Sequence, residues 1–113
     1  MLGLPANRVE TRLGDTDFPA GPGSGGSWGA SSSGSAVFLA CEEIRKKLAD
    51  KLGGKETDLT LADGKSGIGD KARPLAKILY GAEISALGHV EPGKTLEDWP
   101  QATYGSFFAY MAV

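Results

Sequence analysis

Gly21-Pro22-Gly23-Ser24-Gly25-Gly26-Ser27-Trp28-Gly29-Ala30-Ser31-Ser32-Ser33-Gly34 is the stretch around which the rest of the chain is read. Before it lies a short charged, β-branched segment that ends in Leu13-Gly14-Asp15-Thr16-Asp17. After it, from near Ser35, comes the strongest helical pattern in the sequence. A glycine- and serine-rich loop that feeds a helix has the makings of an anion site. Glycine has no Cβ, so its amide can come close to a ligand. The first amides of a helix have no internal acceptors, and the helix dipole puts partial positive charge there. Phosphate groups are common guests at such ends. The competing reading is a flexible Gly/Ser spacer. Trp28 counts against it, because a tryptophan in a spacer would expose a large apolar ring to no purpose.

Downstream, Val37, Ala40, Cys41, Ile44 and Leu48 recur at helical spacing and predict one apolar stripe from about Ser35 to Leu52. Ser31, Ser32 and Ser33 are candidate N-caps, and Gly53-Gly54 supplies the stop. Glu42–Lys46 and Glu43–Lys47 stand at i,i+4 in the favourable orientation. Cys41 lies within the stripe and reads as a small buried hydrophobe rather than a reactive thiol.

Elsewhere the elements are shorter. Arg8-Val9-Glu10-Thr11-Arg12-Leu13 alternates and predicts a half-buried strand. Gly14-Asp15-Thr16-Asp17 turns the chain, and Pro19 and Pro22 keep it irregular. Leu59-Thr60-Leu61 with Asp63-Gly64 predicts a short strand and turn. Pro74 opens a small helix, Leu75 to Tyr80, closed by Gly81. Glu83 to Val90 and Ser106 to Val113 read as two further strands. Thr95-Leu96-Glu97-Asp98 resembles a loose capping box, cut short by Pro100. The expected fold class is α+β, with short strands and one long helix after the Gly/Ser-rich loop, in a single unit over 1–113. The apolar run at the C-terminus suggests a piece of something larger.

Composition excludes several classes. The net charge of −2 argues against a nucleic-acid surface. One cysteine and one histidine leave no metal-ligand cluster, so no metal-binding residues are assigned. No run is long enough for a membrane span, and Met1-Leu2-Gly3-Leu4-Pro5 has no signal-peptide pattern, so a cytoplasmic location is the default. Two nucleotide patterns match by letter. Gly21, Gly23 and Gly26 fit G-x-G-x-x-G, but Gly14 to Ala20 separate them from the strand and the helix starts too late. Gly88-His89-Val90-Glu91-Pro92-Gly93-Lys94-Thr95 fits a phosphate-binding loop, although Pro100 leaves little helix to follow and Glu91 would repel phosphate. Asp15 and Asp17 fit a side-chain-bonded turn better than paired acid–base carboxylates. No nucleophile–base set can be assembled around His89, so no catalytic residue is assigned.

Several strings carry a resemblance. Leu2-Gly3-Leu4-Pro5-Ala6-Asn7-Arg8-Val9, Gly14-Asp15-Thr16-Asp17-Phe18-Pro19, Gly23 to Val37 and Ala40-Cys41 resemble the molybdenum subunit of the xanthine dehydrogenase/aldehyde oxidase family. Tyr104-Gly105-Ser106-Phe107-Phe108-Ala109 resembles a Gly-Ala-x-Phe strand of that family, with Tyr110-Met111 where Glu-Val is usual. The resemblance implies a partial molybdopterin-binding domain. Its cofactor contacts would fall on Gly25, Gly26, Ser27 and Gly29, then Trp28 and Ala30. The cofactor would be molybdopterin, in a dinucleotide form. The partners implied are the remainder of the molybdenum subunit and separate iron–sulfur and flavin subunits, acting on aldehydes or N-heterocycles. The family's catalytic glutamate motif and its earlier glycine-rich cofactor loop have no counterpart here, and Glu91 and Glu97 do not sit in a matching motif. A chain inactive alone is therefore expected. The alternatives are a small P-loop-like nucleotide binder using Gly88–Thr95, or an inactive relic or interaction domain.

Overall fold

A single long helix, α1 (Gly29–Leu52), is gripped near its C-terminal end by a small antiparallel sheet in the computed structural model, which describes residues 1–23, 25–91 and 105–111. The sheet follows the helix directly. A 3-10 turn, Glu56–Asp58, leads into β1 (Leu59–Ala62), which returns as β2 (Lys65–Ile68) and then pairs with the short β3 (Arg73–Pro74). The spatial order is β1-β2-β3, with Leu59 opposite Ile68 and Ser66 opposite Arg73. A short helix, α2 (Leu75–Leu79), ends on Tyr80 and Gly81, both left-handed. This is the expected α+β mix.

The hairpin owes its register to Asp63-Gly64. Both residues have positive φ, at 49° and 71°, and Ala62 faces Lys65 across them. Positive φ at both central residues suits the right-handed twist of paired strands, and Asp-Gly adopts it at low cost. The first segment of the chain is laid against this hairpin. Gly64 donates its amide to the Gly3 carbonyl at 2.9 Å. Gly3 (φ 63°) comes so close that a Cβ there would stand 2.6 Å from the Ala62 nitrogen.

The core is small and local. Leu48, Ala49 and Leu59 are buried together, with Ile44, Leu52, Leu61, Ile68, Leu75, Leu79 and Ile84 packed around them. Helix α1 stops where the sequence predicts. Gly53 is left-handed at 72°, its amide reaches the Asp50 carbonyl at 3.0 Å, and the Gly54 amide reaches Ala49 at 3.0 Å. Arg45 ties three pieces together, reaching Glu56 Oε1 at 3.4 Å and donating to the Met1 carbonyl at 3.2 Å.

Several expectations are corrected. Helix α1 begins at Gly29, not near Ser35, and none of Ser31, Ser32 or Ser33 caps it. Trp28 occupies the cap position, and the Ser31 hydroxyl donates back to its carbonyl at 2.9 Å. The predicted strand Arg8–Leu13 is absent: Ala6–Arg8 forms a 3-10 turn and the rest is irregular and exposed. It finds no partner strand among the described residues, and a lone strand leaves its backbone groups unpaired. For the same reason Glu83–Val90 is irregular, without a ladder. Ser106–Met111 forms no strand either, and Ala112 and Val113 lie outside the described residues. The stripe on α1 is buried only at its C-terminal end. Leu48 is 4% exposed whereas Val37 is 62% exposed. Lys46 reaches Glu43 at 3.9 Å in an i,i+3 pair, and Lys47 donates to the Ser85 carbonyl at 2.9 Å rather than to Glu43. The Thr95–Asp98 box lies outside the described residues.

Two stability outcomes follow from this core. Leu48→Ala should destabilise the chain by about 2–3 kcal/mol, read as a lower urea midpoint, because so few other side chains share the burial. Ser66 is fully buried on β2, and its hydroxyl has no partner among the described residues. Ser66→Ala should therefore be neutral or raise the midpoint, gaining up to about 1 kcal/mol from a removed desolvation cost.

Candidate functional site

The chain enters α1 through a tight left-handed turn. Gly26 and Ser27 have φ of 49° and 62°, and the Trp28 amide closes the turn on the Gly25 carbonyl at 3.2 Å. Glycine takes the first of these positions at no steric cost, and serine tolerates the second only at some strain. The Trp28 indole folds back over the turn and donates Nε1–H to the Gly23 carbonyl at 2.7 Å. A Cβ on Gly25 or Gly26 would stand 3.4 or 3.5 Å from the indole ring. The two glycines thus make a flat bed for the ring.

Beyond the turn, the helix end is open. The Ser32 amide makes the first bond into Trp28, at 2.9 Å. The amides of Gly29, Ala30 and Ser31 come before it and have no backbone acceptor among the described residues. No acidic side chain sits in this first turn, whereas Lys51 stands in the last. The positive end of the dipole is thus left without a compensating carboxylate. Gly25, Gly26, Ser27, Trp28 and Ala30 are exposed and Gly29 is half-buried, so the six sequence-predicted residues form one accessible bend. It offers amide and hydroxyl donors to an anion and holds no group suited to acid–base chemistry. That donor set fits the phosphate of a cofactor.

A cleft of ≈ 610 Å³ opens on the flank of this bend. Pro19–Pro22 form one wall, and Ser32, Ser33, Ala36, Val37 and Ala40 of α1 form the floor. The irregular segment Leu87–Glu91 closes the other side. None of Gly25–Ala30 lines it; the sequence pointed to the bend and missed the cleft beside it. Pro19 and Pro22, set just ahead of the small residues Ser32, Ser33 and Ala36, were the available signal. A second hollow of ≈ 620 Å³ lies between Arg12–Thr16 and Phe18–Gly21.

The remaining candidates add no chemistry to the bend, although Gly88, His89 and Glu91 line the cleft beside it. Asp15 and Asp17 form the side-chain-bonded turn expected of them, with the Asp17 amide on Asp15 Oδ1 at 3.0 Å. Cys41 is half-buried in α1. His89 Nε2 meets Glu91 Oε1 at 3.3 Å on an exposed surface, where such a pair contributes little. No group of three or more His, Cys, Asp or Glu gathers for a metal ion among the described residues. Of the phosphate-loop pattern Gly88–Thr95, residues Gly88 to Glu91 are irregular, and Gly88 is pressed onto the backbone of α1. Residues 92–95 lie outside the described residues. No described helix is long and apolar enough to cross a membrane.

Comparison with known proteins gives the family of the whole chain. A family model for the molybdopterin cofactor-binding domain matches residues 1–113. The aldehyde oxidoreductase molybdenum-binding subunit PaoC of Escherichia coli K12 is 34% identical over 113 residues, covering all of this chain and 15% of that protein. PaoC of Escherichia coli O157:H7 matches with the same identity and coverage. The chain therefore spans about a seventh of the length of the curated relatives it matches. With its family model matched from end to end, the chain belongs to the molybdopterin cofactor-binding domain family.

Proposed function

We propose that this chain is the part of a molybdenum-dependent hydroxylase that grips the phosphate-bearing end of molybdopterin. The carrying observation is the exposed Gly26–Ser27 bend that leads into a helix whose first amides, Gly29, Ala30 and Ser31, have no backbone acceptor among the described residues. Gly25 and Gly26 keep side chains out of the approach. Ser27 adds a hydroxyl, and Trp28 holds the bend in shape through Gly23. Amide donors to a charged phosphate oxygen form charge-assisted hydrogen bonds, roughly twice as strong as neutral ones. When bound, the cofactor supplies the redox and oxygen-transfer chemistry of hydroxylation. This chain supplies position and electrostatics, and no catalytic residue is assigned to it.

The wider reading goes with this role. The cofactor is taken to be a dinucleotide form of molybdopterin, whose extra phosphate would add to the charge that the bend must hold. The chain acts together with the remainder of a molybdenum subunit and with iron–sulfur and flavin subunits, and is inactive alone. Its substrates are aldehydes or N-heterocycles, aldehydes being favoured by the name of the relatives. The compartment that goes with this reading is the cytoplasm.

Two variants test it in the full-length polypeptide that carries this chain. Gly26→Val forces a β-branched residue to φ 49°, which costs on the order of 1–2 kcal/mol. Bound molybdenum and pterin per polypeptide should fall by roughly tenfold, since about 1.4 kcal/mol corresponds to that factor. Wild-type cofactor content in Gly26→Val would overturn the proposal. Trp28→Phe keeps the ring but removes the bond to Gly23. Amide exchange at the Gly25–Trp28 bend should then quicken several-fold, as expected for a net loss of about 0.5–1 kcal/mol.

A further inference from the structure

Helix α1 is held firmly at only one end. Its 24 residues span about 36 Å, yet its buried residues, Leu48 and Ala49, lie in its last two turns. Val37, Phe38 and Leu39 are exposed. The direction of the N-terminal half therefore depends on whatever lies along it, and the amides at Gly29–Ser31 are at the far end of that lever.

One segment runs along it. Ile84 packs on the core, the Ser85 carbonyl accepts from Lys47 Nζ at 2.9 Å, and Gly88 then reaches the helix two turns nearer its start. At Gly88 the approach is backbone on backbone. A Cβ there would collide with the Ala36 carbonyl oxygen and stand 2.8 Å from the Ala40 nitrogen. These atoms are the acceptor and donor of one i→i−4 helical bond. Any side chain at position 88 must lift the segment or break that bond. Glycine is required here for space, not for an unusual φ. Gly88 also lies on the inner side of the 610 Å³ cleft, so lifting the segment would widen it.

We propose that Gly88 is a positioning residue: by letting Glu83–Glu91 lie directly on α1, it sets the direction in which the Gly29–Ser31 amides point. The inference rests on the reading that those amides hold the cofactor's phosphate end. Gly88 itself touches no ligand in this arrangement; its effect passes through Ala36 and Ala40. A site whose support shifts by about 1 Å loses much of its function even when every donor is still present.

The test uses the full-length polypeptide with Gly88→Ala, with Lys47→Met, which frees the segment at Ser85 without adding a clash, and with Gly34→Ala as control. A Cβ at Gly34 meets nothing. Bound molybdenum and pterin should drop roughly tenfold in Gly88→Ala and about threefold in Lys47→Met, and stay unchanged in Gly34→Ala. Amide exchange should quicken at Ala40 and shift the Gly29–Ser31 resonances, while the hairpin amides of Leu59–Ile68 keep their protection. Wild-type cofactor content in both Gly88→Ala and Lys47→Met would overturn the proposal. So would a loss that appears only together with loss of hairpin protection. If Gly26→Val loses the cofactor while Gly88→Ala and Lys47→Met keep it, the positioning role alone falls. If none of the three loses it, the phosphate reading falls with it.

Discussion

Everything in this chain depends on the contact between the last turns of α1 and the β1–β2 hairpin. Leu48 and Ala49 on the helix meet Leu59 on the strand, and the linker between them is only Gly53 to Asp58. A connection that short closes at little entropic cost. The left-handed Gly53 ends the helix and turns the chain back, so the strand arrives beside the residues that have just left the helix. Gly54 completes the fit, since a Cβ there would stand 2.6 Å from Ile68. The core is therefore built from near neighbours, and the arms attached to it reach outward.

The bend at Gly25–Trp28 solves a local problem and opens a chemical possibility with the same atoms. Two successive left-handed residues turn the chain tightly, closed by the Trp28 amide on the Gly25 carbonyl. The indole then covers the glycines and bonds to Gly23, which stiffens the bend with little buried area. The cost is that serine, not glycine, sits at φ 62°. Strain of this kind gathers where function demands a particular backbone shape. Here the shape leaves three amides pointing outward at the end of a helix with no acid in its first turn.

Large apolar side chains stand uncovered outside the core. Phe107 and Phe108 are 99% and 96% exposed, and Tyr110 and Met111 nearly as much. Exposed apolar surface in this amount is uncommon on an isolated soluble domain. It accords with a chain that spans about a seventh of its relatives' length. Arg8–Leu13 and Glu83–Val90 have strand-like patterns but no ladder among the described residues: periodicity reports which faces want cover, and a strand exists only when a second chain segment accepts its hydrogen bonds.

Much of the site was legible in the sequence. Glycine at Gly25 and Gly26, the stop at Gly53-Gly54 and the Asp63-Gly64 turn are local signals, each tied to a backbone geometry that few residues adopt. They were enough for the α+β class and for the bend ahead of α1, while the family showed in the resemblance of longer strings. The early start of α1 was not legible, because Gly29, Gly34 and four serines have poor helix propensity. The return strand Lys65–Ile68 went unread beside its own turn, although Asp-Gly between two short runs is a strong hairpin signal. The cleft and the seat of Gly88 on Ala36 were out of reach altogether. They join residues about fifty positions apart, and no local pattern says which backbone will come to lie against which. Local chemistry could be settled by residue type alone; the direction of the helix that carries it had to wait for packing.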